Sequence, residues 1–103
     1  MNNRDDILKE DHSYFEKIVD ECRELRWKKL NDYGQTYCEY GYVGLLVKLG
    51  DKYGRLKQLY HKSLNNEKPN FETSRDSLID LVNYSVMAIM TLDKENKNGN
   101  NKR

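Results

Sequence analysis

Two groups of charged side chains have a spacing that could support chemistry, and the first lies in FETSRDSLIDLVNYSVMAIM, residues 71–90. Asp76 and Asp80 lie four residues apart, and Asn83 follows three residues later. On a helix these positions share one face, with the two aspartates separated by a rise of about 6 Å. Carboxylates at that spacing repel each other unless they are exposed, one is protonated, or a cation lies between them. Relief of this repulsion predicts that Asp80→Asn leaves stability nearly unchanged or raises it.

Magnesium suits such a place. It binds a few carboxylates, keeps several waters, and leaves room for phosphate oxygens.

The second group lies in the preceding segment and combines one acid with three bases. Asp51 could supply a third carboxylate, whereas Lys48, Lys52 and Arg55 could contact phosphates. An ordinary alternative is a solvent-exposed helix face with ion pairs four residues apart, such as Asp51 with Arg55. The spacing alone leaves both a phosphate–metal site and a solvated face open.

The elements that must position these residues are helices. Apolar residues recur at steps of three and four in three segments, which indicates one-sided helical stripes. A single proline and few β-branched runs leave little for a sheet. We therefore predict an all-α fold with three main helices. Their expected ranges are about 5–30, about 39–61, and from Asn70 or Ser74 to about 92.

Helix ends and interior glycines add detail to this prediction. Gly34 is suited to end the first helix in a left-handed conformation, and Asn70 or Ser74 could cap the third. Gly50 and Gly54 lie one turn apart inside the second helix. They would let another backbone or a ligand approach closely, or they would merely weaken the helix by about 1 kcal/mol each.

The third helix carries apolar residues around most of its circumference, and a helix of this kind is buried on several sides. A chain of 103 residues is too short to bury it alone. We therefore expect a homo-oligomer, a dimer or a tetramer, most simply through an antiparallel pair of third helices. The residues concerned are Leu78, Ile79, Leu81, Val82, Val86, Ala88, Ile89 and Met90.

Composition and length limit the classes of protein to consider. The net charge of +1 gives no support for electrostatic attachment to nucleic acid or membrane. No apolar run approaches a membrane span, and MNNRDDILKED has no apolar signal core. The two cysteines, Cys22 and Cys38, match no metal or redox spacing and indicate reduced thiols in the cytoplasm. We expect one domain over residues 1–93 and a disordered polar tail over 94–103.

Three segments occur in an order that is specific as a combination, through the strings DYG, GDKxxRL and ExxxDxxxDxxNY. They are KKLNDYG (28–34), EYGYVGLLVKLGDKYGRLKQL (39–59) and FETSRDSLIDLVNYSVMAIM (71–90). Together they resemble the nucleotide modification associated domain 1 family, a mostly phage and bacterial group. The resemblance covers roughly residues 25 to 93 and implies a relation to the all-α nucleoside triphosphate pyrophosphohydrolases of MazG type. For a phage protein, the location would be the cytoplasm of the host cell.

The resemblance also implies a site. Active relatives bind Mg²⁺ through carboxylates on two helices and cleave a (deoxy)nucleoside triphosphate between its α- and β-phosphates. By this resemblance the metal and catalytic residues are Asp51, Asp76 and Asp80, and the substrate-binding residues are Lys48, Lys52, Arg55, Asn83, Tyr33 and Tyr84.

The chain departs from the enzyme pattern, in which ExxE on one helix is followed by ExxD on the next. Here the equivalent stretches read Lys48-Leu-Gly-Asp51 and Ser77-Leu-Ile-Asp80. Fewer carboxylates and more cations favour binding of phosphate over assembly of a two-metal centre. Three functions follow as alternatives: a Mg²⁺-dependent pyrophosphohydrolase, an inactive protein that sequesters an immune signalling nucleotide, and a helical interaction module.

Overall fold

The structure, a computed structural model, describes residues 3–33, 37–68 and 72–97, and side chains outside 32–40. These ranges contain three helices and no strand: α1 (Asn3–Tyr33), α2 (Tyr37–Leu64) and α3 (Ser74–Lys97). The predicted all-α fold is confirmed. None of the described helices combines the length and apolar content that a membrane crossing requires.

The chain divides into two compact units, Met1–Gly34 and Gln35–Arg103. The first unit contains α1, in which Cys22 is buried. The second contains α2 and α3, which pack against each other. A single domain over residues 1–93 stays a prediction.

A kink near the start of α2 is caused by Gly41. Its φ of 66° and ψ of −177° are not helical, and the positive φ is a conformation that favours glycine. The regular part of α2 therefore begins after Gly41, slightly later than predicted. Gly50 and Gly54 remain helical, and a Cβ at either position would meet nothing within 4 Å among the described residues. Within the described chain these two glycines therefore have no close neighbour.

The connection between α2 and α3 is set by hydrogen bonds at both helix ends. Asn66 adopts a left-handed φ of 58°, and the Glu67 amide donates to the Lys62 carbonyl at 2.8 Å, which closes α2. At the start of α3 the Asp76 amide donates to Thr73 Oγ1 at 3.1 Å, and the Thr73 amide donates to Asp76 Oδ2 at 3.0 Å. This is a capping box. Thr73, rather than the predicted Asn70 or Ser74, is the capping residue.

Two predicted helix-end residues cannot be compared with the structure, and the third helix ends later than predicted. Gly34 and Asn70 lie outside the described residues. Helix α3 continues to Lys97, so residues 94–97 are helical where a disordered tail was expected. The lysines in its last turn, Lys94 and Lys97, suit the negative end of the helix dipole.

The buried side of α3 is largely polar. Its five buried residues are Ser77, Ile79, Asp80, Asn83 and Ala88. The apolar stripe formed by Leu78, Val82, Val86 and Ile89 is exposed instead. Within the described chain, α3 thus buries polar groups against α2 and leaves apolar groups in solvent, whereas the sequence predicted burial on several sides.

Candidate functional site

A cluster of charged side chains lies between α2 and α3, with Lys52 at its centre. Lys52 Nζ is 2.7 Å from Glu72 Oε1 and 2.8 Å from Asp80 Oδ2. Asp80 belongs to the second turn of α3, and Glu72 lies directly before the capping residue Thr73. The capping box therefore determines where Glu72 enters the cluster. One ammonium from α2 joins two carboxylates from the α3 segment.

Ser77 completes this arrangement from within α3. Its hydroxyl donates a hydrogen bond to Glu72 Oε2, and the residue is fully buried. Glu72 is consequently held through both carboxylate oxygens, one by Ser77 and one by Lys52. A carboxylate bound at both oxygens is restricted in its rotamers, so it has a defined orientation in the site.

The contacts within the cluster raise the pKa of Lys52 and lower the pKa of Glu72. Burial by itself lowers the pKa of Lys52, but the hydrogen bonds to Asp80 and Glu72 outweigh it and raise that pKa well above its usual range. The hydrogen bonds from Lys52 and Ser77 lower the pKa of Glu72 below its ordinary value. At neutral pH, therefore, the Lys52 ammonium faces an ionised Glu72 carboxylate.

The cluster is costly to form and carries an excess of negative charge. The exposed fractions of the side chains are 23% for Lys52, 25% for Glu72 and 11% for Asp80. Removing charges from water costs several kcal/mol per ion before pairing returns part of it. One cation against two carboxylates leaves a formal charge of −1. Such a face can accept hydrogen bonds from a ligand that carries N–H donors.

Most of the predicted substrate-binding residues lie on the α2–α3 face. Lys48 precedes Lys52 by one turn and Arg55 follows it by about one turn, and both are half-buried. On α3, the buried Asn83 follows Asp80 by about one turn, and Tyr84 is half-buried.

The three predicted metal ligands are not gathered in the described chain. Asp76 is exposed and engaged in the capping box, where its hydrogen bonds with the Thr73 backbone and hydroxyl lower its pKa. Asp51 is exposed on α2, and Asp80 is paired with Lys52. In the ranges that the structure describes, no three His, Cys, Asp or Glu side chains form a group that could hold a metal ion. The assignment of Asp51, Asp76 and Asp80 as magnesium ligands stays a prediction.

Two further residues belong to the site, and one predicted residue has a side chain outside the described part of the chain. Glu72 and Ser77 were not predicted as site residues. Glu72 is the first residue of the string ExxxDxxxDxxNY, which could have indicated it, whereas nothing local distinguishes Ser77. The side chain of Tyr33 lies outside the described residues, so its role stays a prediction.

The fold and site define an all-α protein with a buried, charged face between its second and third helices. A family model described as nucleotide modification associated domain 1 matches residues 29–92, more than half of the chain. The chain therefore belongs to this family. Neither the curated proteins nor the solved structures provide a match.

Proposed function

We propose that the chain binds a nucleotide, or a molecule derived from one, at the α2–α3 face around Lys52. The observation that carries this proposal is the partly buried cluster of Lys52, Glu72 and Asp80. A small helical protein gains little stability from such a cluster compared with apolar side chains of similar size. Partly buried, strongly paired ionisable groups concentrate at functional sites. The family description also supports a nucleotide as the ligand.

The chemistry of the surrounding side chains suits the two ends of a nucleotide. Lys48 and Arg55 flank Lys52 along α2, about 10 Å apart along the helix axis, and provide positive charge for phosphate oxygens. The excess carboxylate charge at Asp80 and the amide of Asn83 provide acceptors for base amino groups or sugar hydroxyls. In this proposal Lys52 neutralises part of the acidic charge and orients Asp80.

Binding without hydrolysis is the form of this function that we place first. Hydrolysis by a three-aspartate magnesium centre would need Asp51, Asp76 and Asp80 to converge, and among the described residues no three His, Cys, Asp or Glu side chains form a group that could hold a metal ion. A protein that binds tightly and does not cleave would act by sequestering its ligand. A (d)NTP pyrophosphohydrolase that takes its Mg²⁺ together with the triphosphate is the second candidate, and the family membership is what favours it.

Thermal-shift measurements test the binding. Purified protein is heated with mono-, di-, tri- and cyclic nucleotides, each with and without Mg²⁺. A ligand that binds the folded state raises the midpoint by mass action. If no nucleotide raises the midpoint, the proposal fails and the helical interaction module takes its place. For nucleotides that bind, pyrophosphate release in the presence of Mg²⁺ separates a hydrolase from a sequestering protein.

A matched pair of variants tests the location of the site. Arg55→Ala should weaken nucleotide affinity by about 1.5–3 kcal/mol, because it removes a charged hydrogen bond to phosphate. Lys57→Ala is the control, since Lys57 is exposed on α2 and lies over the ring of Tyr53, 4.8 Å from its centroid. Equal effects of both variants on the dissociation constant, measured by calorimetry, would remove Arg55 from the site.

A further inference from the structure

An apolar stripe runs along the side of α3 that faces away from Lys52. Its residues Leu78, Val82, Val86 and Ile89 follow one another at steps of four, four and three, the spacing of one helix face. Their exposed fractions are 52%, 45%, 43% and 57%. Asp80 points to the opposite side, because two residues along a helix turn the direction by about 200°. α3 therefore has a charged inner side and an apolar outer side.

The two ends of this stripe carry opposite charges on the same face. Arg75 lies three residues before Leu78, and Asp93 lies four residues after Ile89; both are exposed. The two charged ends are symmetric about position 84, because Arg75 and Asp93 lie nine residues on either side of it. Val82 and Val86 likewise lie two residues on either side.

We propose that this stripe is the contact between two copies of the chain, with their α3 helices antiparallel across a two-fold axis near position 84. In this register Val82 packs against Val86 of the partner subunit at the centre of the contact. Arg75 meets Asp93 of the partner subunit at one end, and the symmetry repeats the pair at the other end. A parallel arrangement would instead bring like charges together at both ends.

The self-complementary pattern is the reason for choosing a second copy as the occupant. A two-fold contact uses the same surface twice, so each group on one side of the axis must match a group on the other. The stripe meets this condition at its central apolar positions, Val82 with Val86, and at its charged ends, Arg75 with Asp93. The sequence predicted an antiparallel pair of third helices; the structure adds the face and the register. The contact leaves the Lys52 side of each α3 free, so it does not depend on the proposed function.

The test uses the full chain and measures its mass by sedimentation equilibrium over a range of concentrations. Wild type should be a dimer, or a tetramer containing this dimer. Val82→Glu should halve the mass while the far-ultraviolet circular dichroism keeps its helical shape, because Val82 is already 45% exposed in the single chain. Val43→Glu is the control: Val43 is 71% exposed on α2, and the variant should keep the wild-type mass.

Charge exchange tests the register separately. Asp93→Arg should raise the dimer dissociation constant about tenfold, since it replaces two exposed ion pairs by two repulsions. Arg75→Asp combined with Asp93→Arg should restore the wild-type constant.

A monomeric wild type overturns the proposal, as does a Val82→Glu variant with unchanged mass. If the wild type is a monomer and Val82→Glu unfolds it, the stripe packs against another segment of the same chain. Failure of the double exchange to restore the constant overturns the register.

Discussion

Replacing Lys52 by methionine should destabilise the protein more than removing either of its acidic partners. Methionine keeps a long unbranched side chain and nearly the same helix propensity, so the loss of the ammonium dominates. Glu72 Oε1 and Asp80 Oδ2 each lie within 2.8 Å of Lys52 Nζ, so these two oxygens are at most about 5.6 Å apart. Without the ammonium, Glu72 and Asp80 would face each other as two anions.

The expected loss follows from that separation. Two charges about 5.6 Å apart interact with about 3 kcal/mol at the effective dielectric constant near 20 that suits partly buried groups. Removing one partner of a fully buried ion pair costs about 3–5 kcal/mol, and these side chains keep some exposure. We therefore expect Lys52→Met to lower the free energy of unfolding by about 3 kcal/mol at neutral pH. Protonation of one carboxylate should reduce the loss in mildly acidic buffer.

Asp80→Asn should cost less, about 1.5 kcal/mol, because Lys52 keeps Glu72 as a partner. This expectation differs from the one drawn from the sequence, in which removal of Asp80 relieves repulsion. The contact with Lys52 at 2.8 Å makes Asp80 a structural partner, so its removal leaves a partly buried ammonium with fewer hydrogen bonds. The double variant Lys52→Met/Asp80→Asn should be more stable than Lys52→Met alone, since a single carboxylate remains.

Urea unfolding followed by circular dichroism, at one fixed protein concentration, measures these differences. Lys57→Met serves as the control, because an exposed lysine should change stability by no more than about 0.5 kcal/mol. The reasoning is refuted if Lys52→Met costs no more than the control. It is also refuted if the losses of Lys52→Met and Asp80→Asn simply add in the double variant, since additivity would mean that the two groups do not interact.

Three further predictions concern the helix ends, the glycines and pH. Thr73→Ala should lower the free energy of unfolding by about 1 kcal/mol through loss of the α3 cap, and Thr73→Ser should retain most of it. Gly50→Ala should raise stability by about 0.5–1 kcal/mol, whereas Gly41→Ala should lower it by about 1–2 kcal/mol. The reason is that only Gly41 has a positive φ among the described glycines. Equal effects of the two variants in urea unfolding would contradict the kink at Gly41. The pKa of Glu72 is lowered from 4.5, so its stabilisation is present above that value and lost as pH falls through its folded-state pKa. Thermal midpoints should accordingly fall more steeply below pH 4.5 in wild type than in Glu72→Gln, and parallel curves would show that Glu72 is not paired.

The helices of this protein could be predicted because their signals are local. Steps of three and four between apolar residues define a helix face wherever the helix later packs. The cap at Thr73 could also have been recognised, as a threonine followed three residues later by Asp76, although Asn70 or Ser74 was predicted. The kink at Gly41 was not readable, since several glycines occur in α2 and the sequence does not distinguish the one with a positive φ from those that stay helical.

The sequence by itself determined three helices, a row of acids on α3 and a row of bases on α2. Only the tertiary structure decided which of these groups meet. Lys52 joins Glu72 and Asp80 across 20 and 28 positions of the chain, and no local pattern selects Lys52 over Lys48 for that role. The packing of α2 on α3 also decided that α3 buries its polar side, because the charge pairs formed there offset the cost of burial while the apolar stripe stayed exposed.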